Sequence, residues 1–408
     1  MRVLTFLLNG EFLTRSRVRL WAVGLLIAFG ASLVYLAVTA HGLNDFKGRP
    51  LGTDFAGLYN AGRLAHEGLA PTAYDPVLQY RAEQAMFGAQ TPFYGWQYPP
   101  FVFAAVQPLA RLPYVSALAV WLGLTLAAYL FAMRALLRSG PFPLLASDRL
   151  WLLVALAFPA VFANLTHGQN GFLSAALIAG GLALLEKRPI AAGVLFGLMA
   201  FKPQLAVLVP LALAAGGRWK AFSTAALTVA GLVALGVICY GAESWTAFFA
   251  STQFSRTTVL EQGAAGFEKI QSVFAAVRLL GGSVTAAYGV QLAVSASTAV
   301  LLVMLWRSPA DPASKGAGLC LGALLATPYC YEYDLMLLAP AIALLASEGR
   351  ARGWRPGEML VLSALWVLPI AVRLAPGTHI PFGPVLMALC FALIVCRAMQ
   401  HRFAALAA

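Results

Sequence analysis

The stretch Phe196-Gly197-Leu198-Met199-Ala200-Phe201-Lys202-Pro203-Gln204-Leu205-Ala206-Val207 decides how this chain is threaded. It lies inside an apolar run from about residue 190 to 215, with a lysine and a proline at its centre. As one straight helix the run would be long enough to cross a bilayer, which takes about 20 apolar residues. A lysine at that depth is expensive without an anionic partner, and a proline removes a helix hydrogen bond. The other threading is a hairpin: two short segments, about 190–200 and 205–215, joined by the polar tip Phe201-Lys202-Pro203-Gln204. The two threadings put everything after residue 215 on opposite sides of the membrane.

Composition supports a membrane reading. Of 408 residues, 60% are hydrophobic and 11% charged, and the mean hydropathy is +0.77. A soluble domain carries roughly 25% charged residues. The apolar runs are long and rich in Leu and Ala, not ten-residue alternating strands, so the fold class is an all-α polytopic integral membrane protein. The net charge of +12 fits basic loops retained in the cytoplasm. No basic patch interleaved with aromatics marks a nucleic-acid binder. The five cysteines fall mostly in or beside apolar runs, without metal-type spacing, and read as small core residues.

The interrupted pattern at Lys202 occurs three times. Segments 150–165 and 171–185 flank Thr166-His167-Gly168-Gln169-Asn170, and segments 316–326 and 335–346 flank Thr327-Pro328-Tyr329-Cys330-Tyr331-Glu332-Tyr333-Asp334. Ordinary spans are expected at 21–40, 114–137, 221–240 and 284–306, with two shorter ones near 359–374 and 382–396. Residues 1–408 read as a single membrane domain with a long outer loop at 41–98. If each interrupted pair is a hairpin, 18 of the 28 basic residues lie on the inner side. Lys47, Arg49, Arg63, Arg81, Arg256, Lys269 and Arg278 lie on the outer side, and Arg111, Lys202 and Arg373, at ends or tips, belong to neither count. That asymmetry favours hairpins, with both termini cytoplasmic.

The hairpins have a chemical consequence. A helix of about 11–15 residues rises only ~17–22 Å, short of the ~30 Å hydrocarbon core. Polar backbone at that depth needs burial in protein or a water-filled cavity. Three polar tips therefore converge beneath the outer loop, which carries Gly52-Thr53-Asp54-Phe55. Asp54 reads as a general base or, alternatively, as an N-cap of the helix beginning near Phe55. Lys202 reads as a ligand for a phosphate or as the partner of Glu332 or Asp334. His167, Gln169 and Asn170 supply hydrogen bonds suited to a sugar or phosphate, or else close a turn. Trp96, Tyr98, Trp245, Phe248 and Phe249 read as an interfacial aromatic belt, and Ser244–Phe254 as an amphipathic helix on the membrane. No Walker-type loop, HExxH, GxSxG or CxxC pair is present, so neither a cofactor nor a metal is expected.

The ordered series Asp54-Phe55-x-x-x-Tyr59-x-Ala61, Gly68-x-x-Pro71-x-x-Tyr74-Asp75-Pro76, Tyr98-Pro99-Pro100, Gly168-Gln169-Asn170 and Lys202-Pro203 before Arg218-Trp219-Lys220 resembles glycosyltransferase family 87. The resemblance runs from about residue 50 to 345. It implies a GT-C-like bundle of about 10–12 membrane helices. The implied reaction is an inverting transfer of a hexose, mannose by default, from a polyprenyl-phosphate donor to a lipid or glycan acceptor. The implied location is the outer face of a bacterial cytoplasmic membrane. It matches Asp54 to the catalytic aspartate and Lys202 to the tip lysine. With Lys202, the residues Tyr59, Tyr98, His167, Gln169, Asn170, Gln204, Tyr329, Glu332 and Asp334 make up the expected substrate-binding set. The third tip departs from the family pattern, in which an Asp-His-type pair often follows the Pro. A transporter or flippase of a lipid-linked or small anionic substrate also fits broken hairpins with intramembrane charges. Against it, no convincing internal sequence repeat is visible, and the outer loop is longer than a gate needs.

Overall fold

A computed structural model describes residues 2–264, 266–374 and 380–407. The described chain is helical, and its only β pairings are isolated bridges in loops. The helices are α1 Arg2–Leu8, α2 Arg15–Val38, α3 Phe55–His66, α4 Pro76–Phe87, α5 Phe103–Val106, α6 Tyr114–Ser139, α7 Leu150–Leu156, α8 Pro159–His167, α9 Gly171–Leu184 and α10 Pro189–Leu198. They continue as α11 Pro203–Ala206, α12 Leu208–Ala215, α13 Trp219–Phe254, α14 Val273–Leu279, α15 Val284–Arg307, α16 Pro312–Ala326, α17 Leu338–Arg352, α18 Glu358–Leu374 and α19 Phe382–Ala407.

Proline punctuates this architecture. Pro76, Pro159, Pro189, Pro203 and Pro312 each occupy the first helical position, where the missing N–H would have no intrahelical partner. Pro159 also marks the 48° bend between α7 and α8. Asp75 and Asp311 cap α4 and α16 by accepting bonds from backbone amides. Gly168 ends α8 at φ +59°, the left-handed cap that glycine adopts without strain.

Among the described residues, five helices are long and apolar enough to cross a membrane. These are α2, α6, α13 with its continuation to Glu261, α15 and the Phe382–Met399 part of α19. The bent α7–α8 pair adds a sixth if it is one span. The protein is thus a polytopic helical membrane protein, with shorter apolar helices at 171–184, 189–201 and 203–215. Small residues draw the helices together, as expected where lipid offers no hydrophobic drive between them. Gly193 and Gly197 lie one turn apart on α10, and a Cβ on either would collide with Thr224 or Thr228 of α13.

The interrupted pairs double back. Their flanks meet at one end of the bundle, where Arg15 pairs with Asp148 at 2.5 Å, Arg218 with Glu186 at 2.5 Å, Arg352 with Asp311 at 2.6 Å and Arg397 with Glu358 at 2.8 Å. Their tips meet at the other end, against the loop after α2. That loop builds its own apolar core from Phe55, Tyr59, Tyr74, Phe87, Trp96, Phe103 and Tyr114.

One expectation needs correction. Trp96 is not an interfacial belt residue. It is 2% exposed and stacks on Phe103 at 4.8 Å, because the outer loop folds around its own aromatics. The segment from Ser244 forms a helix of its own, set off from the span before it by a non-helical break at Gly241 (φ +77°) inside α13. There Trp245 and Phe248 pack against Phe101 and Tyr74, and Phe249 alone of the three is mostly exposed.

Candidate active site

The site begins where the outer loop turns into α3. A tight turn holds Asp45, which is nearly buried. Its carboxylate accepts from the amides of Lys47 and Arg49, both at 2.9 Å, and from the Arg49 guanidinium at 2.8 and 3.1 Å. Burial acts to raise the Asp45 pKa, but these bonds outweigh it and hold the carboxyl below its ordinary value. Next come Gly52 at φ +73° and Thr53 at φ +25°, then Asp54.

The capping alternative for this pair is settled by geometry. Asp54 stands at the N-cap position of α3 with αR backbone angles and makes no capping bond. Its Oδ2 instead accepts from Gln169 Nε2 at 2.8 Å. Thr53 Oγ1 lies 2.8 Å from His167 Nδ1. Both contacts come from the tip of the first hairpin, between α8 and α9. Gly168 sits between them so close to Phe55 and Gly52 that a side chain there would collide, and Trp121 Nε1 donates to its carbonyl at 3.1 Å.

The other tips join this junction. Glu332 lies 3.3 Å from His167 Nε2 and accepts from Arg373 at 3.1 Å. Lys202 Nζ donates to Asp334 Oδ1 at 2.6 Å, with the two side chains 5% and 3% exposed, and lies 5.0 Å from the Tyr333 ring centre. Asn170 Nδ2 donates to the Tyr98 hydroxyl at 2.7 Å. The tips are thus tied in sequence: Asp54 to the first, the first to the third through His167–Glu332, and the third to the second through Asp334–Lys202.

Three other residues of the expected binding set sit differently. The Tyr59 hydroxyl donates to the Leu112 carbonyl at 2.7 Å, and its ring packs on Phe55 and Tyr114, so it braces the outer-loop core. Tyr329 packs against the separate cluster of Leu260, Phe274 and Ala287. Gln204 is half-buried in the single turn of α11.

Sequence reasoning passed over Asn164, Arg49 and Arg373, and considered Thr53 only as a helix cap. Asn164 is fully buried, donates to Tyr333 O at 3.1 Å and accepts from Gly171 N at 2.8 Å, joining the first and third tips. An asparagine inside an apolar helix was the available signal. Arg373 had none, because its role depends on α18 ending beside Glu332.

A cleft of about 510 Å³ opens beside this junction between α2 and α8. Ala31, Tyr35 and Leu36 of α2 and Phe162 of α8 form its largely apolar walls, and Asp45, Arg49, Thr53, Thr166, His167 and Arg373 form its polar end.

The helical membrane bundle thus gathers a carboxylate, two ion pairs and amide side chains at one end, beside a cleft with largely apolar walls. The sequence signature of glycosyltransferase family 87 matches residues 96–328, more than half of the chain. The chain belongs to glycosyltransferase family 87. The matched region contains the first two tips and ends at the start of the third, while Asp54 precedes it. Comparison with curated proteins and with solved structures gave no match.

Proposed function

We propose that this glycosyltransferase moves a hexose, mannose by family default, from a polyprenyl-phosphate donor to a lipid or glycan acceptor, with inversion at the anomeric carbon. It acts at the outer face of a bacterial cytoplasmic membrane, with both termini cytoplasmic. The basic-residue asymmetry supports that orientation, since the basic flanks of all three hairpins meet at one end.

The observation that carries the reading is the state of Asp54. A carboxylate at a helix start would ordinarily cap it, yet this one makes no such bond and is held by a single donor, Gln169. Its other oxygen is left for an acceptor hydroxyl. In the proposed step Asp54 takes the proton of that hydroxyl as its oxygen attacks the anomeric carbon. The bond from that carbon to the phosphate oxygen breaks, and the lipid phosphate leaves with the electron pair. The cleft between α2 and α8 gives one lipid-borne substrate a lateral way in from the bilayer. Arg49 and Arg373 at its polar end can meet a phosphate directly. Lys202 is nearly enclosed and already donates to Asp334, so it contributes fixed positive charge from below, with its remaining N–H donors.

The test uses the purified protein in nanodiscs with radiolabelled polyprenyl-phosphate-mannose and a membrane lipid extract. Label should move to an acceptor with the wild type and not with Asp54→Asn. Equal transfer by both would remove Asp54 from its role. No transfer and no donor binding by either would count against this donor and favour a different one or a transport activity.

A further inference from the structure

Thr53 is the one described non-glycine residue with positive φ, at +25°, and it directly precedes Asp54. A β-branched residue adopts such a backbone only when its surroundings impose it. Three backbone bonds shape the turn: Thr53 N to Pro50 O at 2.8 Å, Phe55 N to Gly52 O at 2.7 Å and Ala56 N to Thr53 O at 2.9 Å. The side chain adds the link to His167 Nδ1, and the other ring nitrogen faces Glu332, itself held by Arg373. A neutral imidazole satisfies both contacts at once. Nε2–H donates to the carboxylate, and Nδ1 accepts from the Thr53 hydroxyl.

This link has a competitor. Aspartate is among the best N-cap residues, and capping requires the extended backbone that Asp54 lacks here. A released turn would let Asp54 extend and place its carboxylate on the first amides of α3, away from Gln169. We infer that His167 and Glu332 are positioning residues, which act through Thr53 to hold Asp54 out of the capping conformation and facing the acceptor. The inference rests on Asp54 being the base, and it takes both residues out of the sugar-contacting set.

The experiment compares wild type, His167→Ala, Thr53→Gly and the double variant in nanodiscs. It reads kcat and donor KM with polyprenyl-phosphate-mannose, and amide hydrogen exchange at Phe55 and Ala56. His167→Ala should lower kcat about 10- to 100-fold through misplacement of the base, with donor KM unchanged. It should also speed exchange at the Phe55 amide, which loses Gly52 O, by roughly tenfold, while the Ala56 amide trades Thr53 O for the capping carboxylate and stays protected. Glycine takes positive φ freely, so in the Thr53→Gly background the same His167 change should alter either readout by less than about threefold. The inference is overturned if His167→Ala raises KM while kcat and exchange hold, or if it does equal damage in both backgrounds. Should no protein transfer sugar, the transferase reading fails by itself, and the exchange measurements still decide whether His167 holds the turn.

Discussion

At the end of the bundle where the hairpin flanks meet, here the inner end under the proposed orientation, Arg218 meets Glu186 at 2.5 Å, with the side chains 41% and 49% exposed; at the end where the tips meet, the outer end in that orientation, Lys202 meets Asp334 at 2.6 Å, with 5% and 3% exposed. The bonds are of similar length, and their settings differ. Water screens the inner pair, so it holds two loops together weakly. The outer pair has given up hydration on both partners, so each is a liability without the other. The same contrast holds more widely: Arg15–Asp148 is largely exposed, whereas Glu83 of the outer loop is fully buried with no cation among its hydrogen-bond donors. The end that carries Asp54 holds dehydrated charged groups, the kind of environment in which functional groups are tuned, although burial is not confined to it: at the other end Glu348 is 3% exposed, accepts from Ser314 and faces Arg397.

The largest expected effect tests whether that end is catalytic. Asp54→Asn should lower sugar transfer by about 10²- to 10⁴-fold, the range for loss of a general base, with donor binding retained in a filter-binding assay. A variant at full rate would reduce the outer cluster to scaffolding.

Next comes the buried pair. Lys202→Met should destabilise the protein by about 3–5 kcal/mol, because it strands the Asp334 carboxylate. Adding Asp334→Leu should recover most of that loss, read by thermal unfolding in detergent. If the double variant is no better than the single one, the pair has a further partner and the burial account is incomplete.

Glu83 provides a pH test. Burial pushes its carboxyl up to about 7, against the bonds from Tyr94 N, Gly95 N and Gln79 that favour the ionised form. The folded pKa is above the ordinary 4.5, so the native loop holds its proton longer than the unfolded chain. Outer-loop stability should therefore be full below about pH 4.5 and fall as pH rises to about 7, by on the order of 3 kcal/mol at most. Exchange at the Tyr94 and Gly95 amides, corrected for intrinsic rates, should report it, and Glu83→Gln should flatten the profile.

The smallest effect belongs to the inner end. Arg218→Ala should shift stability by no more than about 1 kcal/mol. A loss comparable to that of Lys202→Met would erase the distinction between the two ends.

Much of the architecture was legible because its signals are local. Apolar runs of span length, prolines at helix starts and the skewed placement of basic residues sufficed for helices, breaks and threading. Asp54, His167, Gln169 and Asn170 could be picked out because polar groups at membrane depth need a reason. Their division of labour could not. Tyr59 occupies a motif position beside Asp54, yet its hydroxyl faces Leu112, a partner 53 residues away whose position only packing defines. Trp96 looked interfacial because an aromatic next to a membrane run usually is, and Phe103 draws it inside instead.

By itself the sequence determined a helical membrane protein with three interrupted hairpins and a carboxylate in the loop after the first span, because hydropathy, proline and charge act on the nearest residues and on the bilayer. Only the tertiary structure decided that Lys202 belongs to Asp334 and not to Glu332, that Glu332 belongs to His167 and Arg373, and that Asp54 is gripped by Gln169 and left uncapped. Those choices depend on how three short hairpins pack against one loop, with partners more than 40 residues apart in the chain, which no local pattern in the sequence encodes.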